Sequence, residues 1–158
     1  MKTFFGFVLA ALFGYLSVGA QAATEQLVAT GYNVVTKLPE KITLPNGSVI
    51  MVGAQGHASI VNDKTAEQTS QWCNIDTWVD AKGAQTHAVG HCSVFYDSGD
   101  VVWVSVTQTT TDQPVTWTVL GGVGKYAGAT GGGTSKVASR RSDGYADTYK
   151  ITGSITTK

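Results

Sequence analysis

Gly121-Gly122-Val123-Gly124-Lys125-Tyr126-Ala127-Gly128-Ala129-Thr130-Gly131-Gly132-Gly133 holds seven of the 19 glycines in this chain of 158 residues. It separates two runs in which apolar and polar side chains alternate, Val115–Leu120 and Thr134–Arg140. Glycine permits tight bending and close backbone approach where any Cβ would clash. The cluster therefore predicts a sharp corner in a curved sheet. A phosphate cradle is excluded, because the order G-x-x-x-x-G-K-[ST] is absent and no helical pattern follows Gly122-x-Gly124.

Outward from that corner, no window of residues 23–158 repeats its apolar residues at three and four. Alternation with period two recurs throughout, which is the signature of half-buried strands. The expected strands are Gln26–Thr36, Ser48–Val61, Gln71–Val79, Thr86–Tyr96, Val101–Thr110, Val115–Leu120, Thr134–Arg140 and Tyr145–Thr156. Between them lie Pro39 with Pro45-Asn46-Gly47, Asn62-Asp63-Lys64, Asp80-Ala81-Lys82-Gly83, Asp97-Ser98-Gly99-Asp100 and Asp143-Gly144, residues with turn chemistry at the spacing of a meander. Strands joined in this way can close on themselves, which removes the exposed edges that template aggregation. The fold class is all-β, a single closed antiparallel barrel of about eight strands over residues 23–158. On the last strand, Tyr145, Tyr149, Ile151 and Ile155 share one face.

With Thr134, the glycine segment resembles the GGTGKYxGxxGxGT stretch of allene-oxide-cyclase-like barrels and, more distantly, of dirigent proteins. Asp97-Ser98-Gly99-Asp100 leading into Val101-Val102-Trp103-Val104-Ser105, and Trp117-Thr118-Val119-Leu120 entering the corner, extend the resemblance over the C-terminal two-thirds of the chain. Val123 stands where the motif usually has threonine. The resemblance implies a small antiparallel barrel enclosing a cavity. Its members include cyclases that hold a greasy, reactive substrate, dirigent relatives that orient radicals or quinone methides, and exported bacterial proteins without an assigned activity. It also implies that a homo-oligomer is possible, since relatives assemble as dimers or trimers. No counterparts of the plant enzymes' catalytic positions are recognisable.

Two cysteines, Cys73 and Cys92, flank the Asp80–Gly83 turn. A two-residue loop at Lys82-Gly83 sets them directly opposite on neighbouring strands, close enough for a disulfide. A three-residue loop with Gly83 in the left-handed position sets Cys73 opposite His91 instead, unless a bulge restores the pairing. With the cysteines opposed, Cys73, Ile75, Thr77, Val79, Ala88, Gly90, Cys92, Val94 and Tyr96 form a small, apolar face. The reverse face carries Trp72, Asn74, Asp76 and Trp78 against His87, Val89, His91, Ser93 and Phe95. Rings around a few convergent polar groups describe a small-molecule pocket, and an acid that orients imidazole supports proton transfer near neutral pH. Asp76, His87 and His91 are thus the candidate catalytic groups. Trp72, Asn74, Trp78, Phe95, Trp103, Trp117 and Tyr149 are the candidate ligand contacts. An exposed sheet surface has the same alternation, so which face lines the cavity is left open.

No metal or other cofactor is expected. His87 and His91 share a face but stand roughly 13 Å apart along a strand, too far for two bonds to one ion. No Gly-x-Ser-x-Gly elbow occurs, and no spacing selects a glycosidase-like carboxylate pair. Formal charge balances to zero, and the scattered basic residues offer no footprint for nucleic acid. Arg140-Arg141 before Ser142-Asp143-Gly144 reads as a hairpin tip. Lys2, the apolar run Phe4–Val18 and Ala20-Gln21-Ala22 form a signal peptide over residues 1–22. Export to the periplasm or beyond, with no membrane anchor after cleavage, is the expectation.

Three functions fit. The leading one is an exported barrel that binds a small hydrophobic or aromatic molecule without converting it. The second is a cofactor-free cyclase or isomerase using the same cavity. The third is a structural or adhesive protein with a filled interior.

Overall fold

The computed structural model describes residues 22–158. The signal peptide expected over 1–22 lies, apart from Ala22, outside the described residues. Nine strands follow in order: β1 (Ala23–Lys37), β2 (Glu40–Thr43), β3 (Val49–Asn62), β4 (Gln68–Val79), β5 (Gln85–Tyr96), β6 (Val101–Gln108), β7 (Val115–Val123), β8 (Thr130–Arg140) and β9 (Ala146–Thr157). Every ladder is antiparallel, and sequential neighbours pair from β3 to β9. β1 joins both β9 and β3, which closes eight strands into a barrel. Closure satisfies the backbone groups that an open edge would leave unpaired.

β2 is the strand that alternation did not reveal. It is four residues long and exposed throughout, so it has no buried face to impose a period. It pairs with Val49–Val52 of β3, and β1 takes over the same edge from Gln55 onward. The change of partner coincides with a bulge between Met51 and Ala54, where Gly53 adopts a φ of +72°.

Both readings of the Asp80–Gly83 turn contain part of the answer. Gly83 has a φ of +86° and Asp80 N–H donates to Ala84 O, as a three-residue loop requires. A bulge beside Val79 then moves the ladder by one, so Cys73 faces Cys92 and the two form a disulfide. Small and apolar residues on that face turn inward. Val102, Cys92 and Ala29 are almost completely buried.

The glycine segment does more than turn a corner. β7 runs to Val123, one 3-10 turn covers Gly124–Tyr126, and β8 begins at Thr130. The ladder between β7 and β8 stops after Thr118, and the connection buries Tyr126 and Ala129. Asp100 accepts a hydrogen bond from Lys125 N–H at 2.9 Å and one from Ser98 Oγ at 2.7 Å. The Ser98 hydroxyl first, and then the Lys125 N–H, hold the Asp100 carboxyl below the usual range, and the second ties the β5–β6 turn to the β7–β8 connection. Gly124 has to lack a Cβ, since its φ is +66° and the Asp100 carboxylate occupies that space.

Among the described residues, no helix is long and apolar enough to cross a membrane.

Candidate functional site

The inward faces enclose a cavity of about 370 Å³. Its waist is apolar, formed by Leu27, Ile75, Val94, Val104, Trp117 and Ile151. Toward the end where β1, β6 and β8 finish, the lining becomes polar, with Asn33, Gln55, Gln108, Gln113, Arg140 and Asp147. At the other end Tyr96 stacks on Tyr126 with ring centroids 4.9 Å apart, and Lys125 Nζ lies 4.8 Å from the Tyr126 ring. Burial pushes both phenols up, that of Tyr126 to about 12. They stay neutral, and Glu25, Asn62, Glu67 and Thr69 line the same end.

Trp117 lies in one inter-strand row with Gly133 of β8 and Gly153 of β9. A Cβ on either glycine would run into Trp117 Cζ2 as well as neighbouring backbone. The paired glycines thus form a bare shelf on which the indole rests. Trp117 is 7% exposed, yet its Nε1 has no hydrogen-bond partner. A buried donor left unmade costs about 1–3 kcal/mol.

Tyr149 on β9 reaches across the interior, where its hydroxyl donates to Gln71 Oε1 on β4 at 3.0 Å. Gly31 makes this possible, because any Cβ there would meet the Tyr149 ring. Burial raises the Tyr149 hydroxyl above its ordinary value, and the Asp147 carboxylate adds to the shift. It therefore remains a neutral donor. At the polar end, Gln85 Nε2 donates to Gln108 Oε1 at 3.1 Å, and Gln108 Nε2 donates to Gln113 O at 2.6 Å. This chain of amides braces the rim.

Asp147 faces the cavity one step nearer the rim than Tyr149. Burial raises its carboxyl above the usual range, opposed by the Arg140 guanidinium 3.5 Å away. A folded value above the unfolded one means that the folded chain keeps this proton to higher pH. The stabilising contribution is complete below the ordinary value near 3.9 and is lost as pH rises through the folded value. Asp147→Asn should therefore gain in melting temperature relative to the parent as pH rises from about 4 through the raised folded value. Melts of both chains across that range check it, and a constant difference would show an unshifted carboxyl.

Of the residues singled out from sequence, Trp117 and Tyr149 line the cavity. The remaining candidates lie on the alternate face of β4 to β6, which is the outside. Trp72, Phe95 and Trp103 are 43–44% exposed, and Asn74, His87 and His91 are exposed beside them. Trp78 is half-buried against His87, with ring centroids 5.6 Å apart. Asp76 does not bond to an imidazole. Its Oδ1 accepts from Gly53 N–H at 2.7 Å and so pins the β3 bulge. The face that carries Cys73 and Cys92 turns inward, so the rings on the alternate face of the same strands turn outward. A proton step inside the barrel would draw on Asp147 or Tyr149. Asp147 was legible in principle, lying two residues before Tyr149 on the same strand face, whereas Gln71 joins the site only through contact across the barrel.

Among the described residues, no cluster of three His, Cys, Asp or Glu side chains is placed to hold a metal ion.

No protein-family model matches the sequence, and no curated protein sequence is detectably similar to it. Solved structures do share its fold. One pterocarpan synthase dirigent protein superposes with a TM-score of 0.58 at 11% identity, covering 85% of this chain and 96% of its own. A second superposes with a TM-score of 0.60 at 10% identity, covering 99% of each. The chain thus has the dirigent-type small β-barrel fold.

Proposed function

We propose that this protein is an exported carrier or presenter of a small, neutral, largely apolar or aromatic molecule held in the barrel without conversion. The unpartnered Trp117 indole N–H in an otherwise apolar waist carries the reading. A ligand with one hydrogen-bond acceptor, such as a carbonyl or ether oxygen, set within a hydrophobic frame would satisfy it once a small shift of the indole opens the N–H to the lumen. The cavity volume is that of a small-molecule site, and a filled structural barrel would have no such space. Tyr149 and Gln71 offer a second polar contact in the lumen. The disulfide agrees with export to an oxidising compartment.

Thermal-shift screening with phenolic, terpenoid and fatty-acyl compounds tests the proposal, because a molecule that binds only the folded state raises the melting temperature. Trp117→Phe keeps an aromatic ring, smaller than the indole, and deletes the donor, so the affinity of a stabilising compound should fall by about three- to tenfold. Affinity unchanged in that variant would place the ligand elsewhere.

A cofactor-free cyclase or isomerase is the second reading, and one observation favours it. Asp147, with its raised pKa, sits in the lumen beside Arg140 and Tyr149, where a confined substrate would meet an acid. The same fold serves as a pterocarpan synthase in both compared proteins. Conversion of a bound compound that stops in Asp147→Asn while binding persists would select this reading.

A further inference from the structure

We propose that the outer surface of β4 to β6 is a docking platform for a neutral, β-linked polysaccharide, separate from the cavity. The charge distribution is the first reason. Across all five strands from β3 to β7 the only formally charged side chain is Asp76, and its carboxylate is already engaged by Gly53 N–H. All three histidines of the chain, His57, His87 and His91, lie on the same strands. The other acidic and basic residues of the described chain sit on β1, β2, β8, β9, the connecting turns and the C-terminal Lys158. One side of the barrel therefore has no means to attract a nucleic acid, an anionic lipid or an acidic glycan.

The arrangement of rings is the second reason. Trp72, Ser93 and Trp103 form one row across β4, β5 and β6. Two inter-strand spacings separate the tryptophan backbones by roughly 9.6 Å, close to the length of a disaccharide unit in an extended glycan. Ser93 between them is small, so a shallow trough joins the rings. Phe95 stands one step along β5, diagonal to both tryptophans. These three rings are left 43–44% exposed, a contiguous aromatic surface of the kind that marks an interaction site. His57 packs edge-on against Trp72 with centroids 6.2 Å apart, which helps to fix that indole.

The third reason is the row on the other side of the tryptophans, Asn74, His91 and Ser105. An amide, an imidazole and a hydroxyl supply uncharged donors and acceptors at the edge of an aromatic surface. A β-linked sugar with equatorial hydroxyls matches both parts: its axial C–H face lies flat on a ring, and its hydroxyls point sideways into hydrogen bonds. A second copy of this chain would bury that polar row against rings and leave its groups unpaired.

Depletion of the intact protein from solution by cellulose and by chitin, with a polyuronate gel as the acidic control, tests the proposal. At least one neutral glycan should retain the protein and the acidic gel should not. Trp72→Ala/Trp103→Ala should weaken retention by about tenfold or more. Ser93→Arg keeps every ring but blocks the trough, and it should weaken retention as strongly, provided that its circular dichroism matches the parent. Trp117→Phe, inside the barrel, should leave retention unchanged. Absence of retention on both neutral glycans would overturn the proposal. So would an oligomer in light scattering that Ser93→Arg dissociates, since the platform would then belong to a second copy.

Discussion

Alanine at Gly133 is expected to destabilise the barrel by about 3 kcal/mol or more, the upper end of the overpacking range. The space that its Cβ would need is filled by the Thr152 carbonyl oxygen, Gly153 Cα and Trp117 Cζ2. Two of these are backbone, so relief requires β8 to move away from β9 along a ladder that runs from Thr130 to Arg140. The third is the indole that forms the cavity wall, and pushing it inward closes the proposed ligand site. Gly144→Ala is the matched control. Gly144 has a φ of +75° in a hairpin tip, with open space around it, and should cost only about 1 kcal/mol. Denaturant titrations of the two variants check the contrast. If both lose the same amount, the Gly133–Gly153 shelf is not tightly occupied and Trp117 rests on something softer.

Breaking the Cys73–Cys92 bond is the second large effect. The bridge joins directly opposite residues on β4 and β5 and closes a loop with a sequence separation of 19. Loop-closure entropy in the unfolded chain puts its contribution at about 3 kcal/mol, or a fall of roughly 10 °C in melting temperature for a domain of this size. Cys73→Ala/Cys92→Ala should reproduce the melting temperature of the reduced parent to within a few degrees. A reductant should leave the double variant unaffected. A loss below about 1 kcal/mol would mean that the unfolded chain already keeps this hairpin together. Because Cys92 is buried and the pair lines the cavity, reduction should require partial opening of the barrel and proceed slowly without denaturant.

Much of the architecture was legible in the linear order of residues. Period-two alternation located all eight barrel strands, and glycine, proline and asparagine or aspartate clusters marked the turns between them. These signals are local: a strand with one wet and one dry face repeats every second residue wherever it lies. The disulfide followed from the same counting, although the ambiguity at Asp80–Gly83 could be resolved only by the bulge beside Val79. β2 escaped because an exposed four-residue strand buries nothing.

The site was less legible, for a reason visible in β4 and β5. Both of their faces are rich in apolar groups, Ile75 and Val94 on one and Trp72, Trp78 and Phe95 on the other, so alternation identifies two sets without saying which is inside. Elementary chemistry of short-range order was enough for strands, turns and the existence of a closed sheet. The choice of inward face, the seating of Trp117 on Gly133 and Gly153, and the meeting of Tyr149 with Gln71 arose from closure between β1 and β3. Closure joins residues distant along the chain and sets the direction of curvature, and no local pattern of residues encodes either.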